Sequence, residues 1–175
     1  MTLEYYTKLQ QLEFNSKELL SEGQIVVLST FLASIIQEFV QGSQIFVTAE
    51  TTRGLLEFIR FHAQFTLGEM ISAMQLMEIL LHKSRDVENV DSITADNVGT
   101  ALVCVCIITQ KFLRDKPCQN SWWAKTFKMK LQTLNESEMI ILNIIDWKLQ
   151  ISEWSYIHFA SRVWKNYQII LNCTN

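Results

Sequence analysis

Apolar positions along the chain recur at a helical period. One run is apolar throughout: residues 98–109, Val-Gly-Thr-Ala-Leu-Val-Cys-Val-Cys-Ile-Ile-Thr, with no charge and two hydroxyls as its only side-chain oxygens. A helix that is apolar on every side must be buried on every side. The run is too short to cross a bilayer, which takes roughly 20 apolar residues. It is expected to be the central helix of a soluble, all-α domain. The residues that follow, Gln110-Lys111-Phe112-Leu113-Arg114-Asp115, turn abruptly polar. That junction, where a buried helix meets solvent, is the expected place of function.

The flanking runs predict amphipathic helices. Leu3, Tyr6, Leu9 and Leu12 keep a helical spacing. Residues 25–40 carry Leu28, Phe31, Leu32, Ile35, Ile36 and Phe39 on one side, and Gly42-Ser43 closes them. A helix over 51–64 turns Leu55, Leu56, Phe58, Ile59 and Phe61 mostly inward. Thr66-Leu-Gly-Glu69 matches a capping box opening a helix to about Lys83. Residues 84–92 are charged and aperiodic, as in a loop, and Thr94 is the expected N-cap of the central helix. Beyond Pro117, Ser121 is expected to cap a short helix over 122–127. Residues 134–145 form another helix, and Ser152 starts the last, rich in aromatics.

Composition agrees with this class. One Pro and five Gly are too few for a turn-rich β fold, and 49% hydrophobic residues can form a large core. A net charge of −3 gives no basic footprint for nucleic acid. The first residues lack a secretory pattern, and Cys104, Cys106, Cys118 and Cys173 suit reduced thiols, so an intracellular protein of nucleus or cytoplasm is expected.

Four steps in the second half stand in a recognisable order: Lys111-Phe-Leu-Arg-Asp-Lys116, Asn120-Ser-Trp-Trp-Ala-Lys125, Leu134-Asn-x-x-Glu138, and Ile145-Asp-Trp-Lys-Leu149 followed by Ser152. The string resembles the cyclin box, most closely that of P-type cyclins, which activate phosphate-pathway cyclin-dependent kinases. The likeness covers about residues 48–160. It departs from the family where Tyr-Ile-Asp-Arg stands as Leu76-Met77-Glu78-Ile79, and the substrate-docking Met-Arg-Ala-Ile-Leu motif is absent. The resemblance implies an N-terminal helical extension (1–45), a single cyclin box (46–160) that is a five-helix bundle around a buried central helix, and a C-terminal helix end and tail (161–175).

It also implies a function: regulatory subunit of a cyclin-dependent Ser/Thr kinase, acting without bond chemistry, cofactor or metal of its own. The matching Lys and Glu of cyclins stand together at the kinase interface, so Lys111 and Glu138 are the central candidates. Phe112, Leu113, Met139 and Leu142 would supply apolar contact to kinase helix αC. On spacing alone an exposed surface pair worth under roughly 1 kcal/mol is the favoured reading of Lys111 and Glu138, and the family match reverses that. Phe112 and Leu113 are equally ordinary core, and for Leu142 core is the favoured reading. Trp123 and Phe127, four apart, are expected inward with the neighbouring lysines solvated. Cys104 and Cys106, two apart on a helix, face nearly opposite ways and suit small buried hydrophobes. Glu136 and Glu138 also fit favourable charge at a helix start. Two alternatives stay open: a cyclin-fold adaptor that binds a kinase without raising its rate, and a transcription-factor-like module binding nucleic acid.

Overall fold

Local capping chemistry opens several helices of this chain. Ser21 Oγ accepts from Gln24 N–H at 3.3 Å while Gln24 Oε1 accepts from Ser21 N–H at 2.8 Å. Glu69 Oε2 accepts from Thr66 N–H at 2.8 Å and Thr66 Oγ1 from Glu69 N–H at 3.3 Å, the reciprocal box read from the sequence. A computed structural model describes residues 17–86 and 92–173, with side chains as far as Lys165. In it seven α-helices follow one another: α1 (Glu22–Phe39), α2 (Ala49–Ala63), α3 (Leu67–Asp86), α4 (Val98–Leu113), α5 (Asn120–Thr126), α6 (Leu131–Ile144) and α7 (Glu153–Cys173). Among the described residues the extended pairing is one bridge, Leu19 to Thr66. The fold class is all-helical, as expected. No helix of the described residues is long and apolar enough to cross a membrane.

Several boundaries differ from the sequence reading. Asn97, not Thr94, is the N-cap of α4. Thr94 starts a turn of its own, its N–H bonded to Asn97 Oδ1 at 2.8 Å and its carbonyl to Val98 N–H at 3.0 Å. Gln119 is the N-cap of α5, and Ser121 lies inside the helix. Helix α3 runs on to Asp86, and α6 begins at Leu131, three residues early. The helical spacing at Leu3, Tyr6, Leu9 and Leu12 lies outside the described residues, as does most of the expected loop at 84–92.

One continuous core joins the helices. In α4 every side chain from Ala101 to Gln110 is buried. Helices α3 and α6 pack against it, and α1 lies over α2, α3 and α7. Leu28, Leu32 and Ile36 of α1 are fully buried, so residues 20–40 share the core. Phe61 is the exception to the expected inward face of α2: it is 79% exposed, while Leu56 and Ile59 are buried. Phe61 falls five residues after Leu56, outside the stripe that 3.6 residues per turn keeps together.

Arg114, the first residue past α4, ties three elements. Its guanidinium donates to both Glu69 carboxylate oxygens, the Nη2 contact at 2.7 Å. It also donates to Ala63 O at 3.1 Å and Gln64 O at 2.8 Å, closing the C-terminal end of α2. Burial by itself pushes the Glu69 carboxyl up, but the hydrogen bonds from Arg114 and Thr66 outweigh it and hold the group below the usual carboxylate range. A depressed carboxyl contributes stability above its unfolded pKa of about 4.3, and that stability is lost as pH falls through the folded value. Arg114→Ala is therefore expected to cost roughly 2–4 kcal/mol in urea unfolding, since it strands a mostly buried carboxylate. Glu69→Gln should flatten the loss of stability below about pH 4.5. An unchanged acid limb in that variant would remove Glu69 as its source.

Candidate functional site

The polar end of α4 is where the sequence candidates meet. Lys111 is the first charged residue after the buried run. Glu138 sits one turn from Leu134 and from Leu142, on the inward side of α6. The two side chains join: Lys111 Nζ donates to Glu138 Oε1 at 2.7 Å and to Oε2 at 2.8 Å. Asn120, the first residue of α5, adds a third donor, its Nδ2 lying 2.6 Å from Glu138 Oε2 and 2.8 Å from Asn135 Oδ1. A carboxylate this buried is tolerable because it is paired and hydrogen-bonded. Helix-start electrostatics does not explain Glu138 or Glu136, because α6 begins at Leu131 and carries no acid in its first turn.

The pair is asymmetric towards solvent. The Lys111 side chain is 39% exposed and that of Glu138 only 10%. Around it Phe112, Leu113 and Met139 are each about half exposed, and Leu142 is buried. The ordinary-core reading therefore fits Leu142 alone of these four. Three large apolar side chains in the neighbourhood of the ion pair are thus left half in water.

A cavity of about 310 Å³ opens next to this patch, on the side of Phe112 and Leu113. Leu76 of α3, Ile108 of α4, and Leu149 and Tyr156 around the start of α7 help to line it. The Thr109 and Tyr156 hydroxyls are buried there without a hydrogen-bond partner among the described residues. Burial pushes the Tyr156 phenol up to about 12, so it stays neutral and able to donate. Sequence reasoning missed Leu149 and Tyr156 as lining residues, because they reach the cavity from a connection and a helix distant in sequence. Asn120 stood in one of the family steps but had no partner assigned until the fold brought α5 beside α6.

The remaining candidates take structural roles. Cys104 and Cys106 are both buried, and desolvation pushes each thiol up to about 12. Such thiols stay protonated, unsuited to nucleophile or metal-ligand work. Trp123 is fully buried and stacks on Phe127 at 5.8 Å, with Lys125, Lys128 and Lys130 exposed, as expected from their spacing. His62, His82 and His158 each face an aromatic ring. Glu78, the acid of the altered family step, is held by Arg162 of α7 at 2.7 and 2.8 Å.

The asymmetry of the pair makes a prediction. Lys111→Ala leaves a buried carboxylate with Asn120 as its remaining donor and is expected to cost roughly 1–3 kcal/mol. Glu138→Ala lets the lysine return to water, and loss of the ion pair itself should cost under about 1 kcal/mol. Chemical denaturation of both variants and of the double variant checks the order. A larger loss in Glu138→Ala than in Lys111→Ala would contradict it. The chain matches no family model, no curated protein and no solved structure.

Proposed function

We propose that this chain is a cyclin: the activating subunit of a cyclin-dependent Ser/Thr kinase, docking on the kinase helix that carries its catalytic glutamate. The observation that carries the proposal is the Lys111–Glu138 pair at the rim of an exposed apolar patch. Two residues 27 apart, singled out by the family steps, lie within bonding reach on one surface. The family resemblance of the second half and the all-helical class support the same reading.

The pair has bonding capacity left for a partner. Two of the three Lys111 N–H groups go to Glu138. The third is free to donate to a backbone carbonyl at the end of a docked helix. The Glu138 carboxylate accepts from Lys111 and Asn120 and keeps lone pairs for a backbone N–H of the partner. Burial under that partner would strengthen each contact by excluding water.

The apolar contribution has the right size. Phosphoryl transfer in a protein kinase needs a lysine–glutamate ion pair that forms only when the glutamate helix swings in. Shifting a kinase from 1:99 to 99:1 in favour of that state takes about 5.5 kcal/mol of differential binding. Burying a large apolar side chain contributes about 1.5–3 kcal/mol, so covering the exposed halves of Phe112, Leu113 and Met139 supplies roughly 2–4 kcal/mol. The cavity beside them offers a place for a further apolar side chain of the docked helix, and the charged pair adds the rest.

The test is to mix the full chain with purified cyclin-dependent kinase catalytic subunits and follow histone or peptide phosphorylation. The expected result is a rate increase of at least about tenfold with one kinase, reduced to near the basal rate by Lys111→Ala or Glu138→Ala while circular dichroism stays unchanged. Binding without any rate increase identifies a non-activating adaptor instead. Failure of the folded chain to bind any of the kinases sinks the proposal.

A further inference from the structure

We propose a second docking surface, for an acidic peptide segment carrying an aromatic or branched apolar residue, at the C-terminal end of α5 and the adjoining face of α2. Charge along the chain is segregated. Residues 111–130 hold six of the fifteen cationic side chains and one of the eighteen acids. Lys111 and Arg114 are engaged by Glu138 and Glu69. Lys125, Lys128 and Lys130 have no acidic partner among the described residues. They crowd one turn, where Lys128 N–H donates to Lys125 O at 3.3 Å and Met129 N–H to Ala124 O at 2.8 Å. Three like charges within six residues of chain repel one another, and an anionic partner relieves that repulsion.

An aromatic strip leads away from the lysines. Phe127, between Lys125 and Lys128, meets Phe58 of α2 edge-on at 5.3 Å. Phe58 lies 4.2 Å from His62, and His62 lies 5.0 Å from Phe61. Phe61 is 79% exposed at the end of the strip. A fixed aromatic ring beside a cationic turn suits an apolar residue flanked by carboxylates.

The backbone adds a further mark. Lys128 has φ +53°, in the left-handed region that glycine occupies without strain. A glycine there would favour the fold and remove the charge, so stability and the proposed binding pull in opposite directions at this position. A peptide fits better than a nucleic acid. Outside residues 111–130 the chain carries seventeen acids against nine cations, and a long polyanion would meet that field while a short acidic segment need not. The surface does not rest on the kinase proposal: Glu138 is reached from Asn120, at the opposite end of α5.

The test uses the full chain and a fluorescein-labelled peptide, Glu-Glu-Asp-Leu-Phe-Glu-Asp-Glu, followed by anisotropy at about 50 and about 300 mM salt. Saturable binding that weakens with salt is expected. The triple variant Lys125→Gln, Lys128→Gln, Lys130→Gln should lower affinity at least about tenfold and flatten the salt dependence. Phe61→Ser should lower affinity with the salt dependence kept. Lys128→Gly should raise the melting temperature and still weaken binding, a pairing that a purely structural role for the lysine does not produce. The surface is disproved by no binding to the wild-type chain, by equal affinity in the triple variant, by equal binding of a peptide with its acids changed to glutamine, or by tighter binding of oligo(dT).

Discussion

The enclosure of α4 governs the rest of the molecule. Its uncharged run, residues 98–109, cannot face water along its length, so other helices must lie against it. Its C-terminal end must also emerge somewhere. There the last buried residue, Gln110, has its amide satisfied on both sides: Oε1 accepts from Cys118 N–H at 2.8 Å and Nε2 reaches Ala63 O at 3.4 Å. The next charged residues, Lys111 and Arg114, take different acids, Glu138 of α6 and Glu69 of α3. The buried rod thus fixes both the core and the polar cluster at its mouth.

The two ion pairs at that mouth differ in what surrounds them. Arg114 spends its donors on Glu69 and two carbonyls at the end of α2, and Glu69 also closes the capping box of α3. This is a fastener with little capacity left over. Lys111 and Glu138 keep donors and lone pairs unspent and sit among half-exposed aromatic and aliphatic side chains. An ammonium has three donors and a carboxylate about four acceptor sites, so this pair can take further hydrogen bonds. On that distinction the Lys111–Glu138 corner is the one the proposed function draws on.

Much of the helical order was legible in the chain because burial imposes a period on apolar residues. The runs at 25–40, 98–109 and 134–145 each became a helix, and Thr66 with Glu69 signalled a start correctly. The N-caps at Thr94 and Ser121 were misplaced. A hydroxyl residue can serve its own turn as readily as a helix, and which it does depends on where the neighbouring elements hold the backbone. Phe61 was misjudged for a related reason: apolar character alone does not tell a core position from an exposed one when a helix is covered on one side only.

What the amino-acid order determined by itself was the helical class, the buried central rod and the abrupt polar step after it, because hydrophobic periodicity and charge placement act along the chain. Lys111 and Glu138 were singled out together by the family steps, but their bond is made only by the packing of α4 against α6 across 27 residues. The cavity beside Phe112 and the strip from Phe127 to Phe61 likewise exist only once helices remote in sequence lie together. Contacts of that kind depend on distances and directions in space, and a linear pattern of residue types does not contain them.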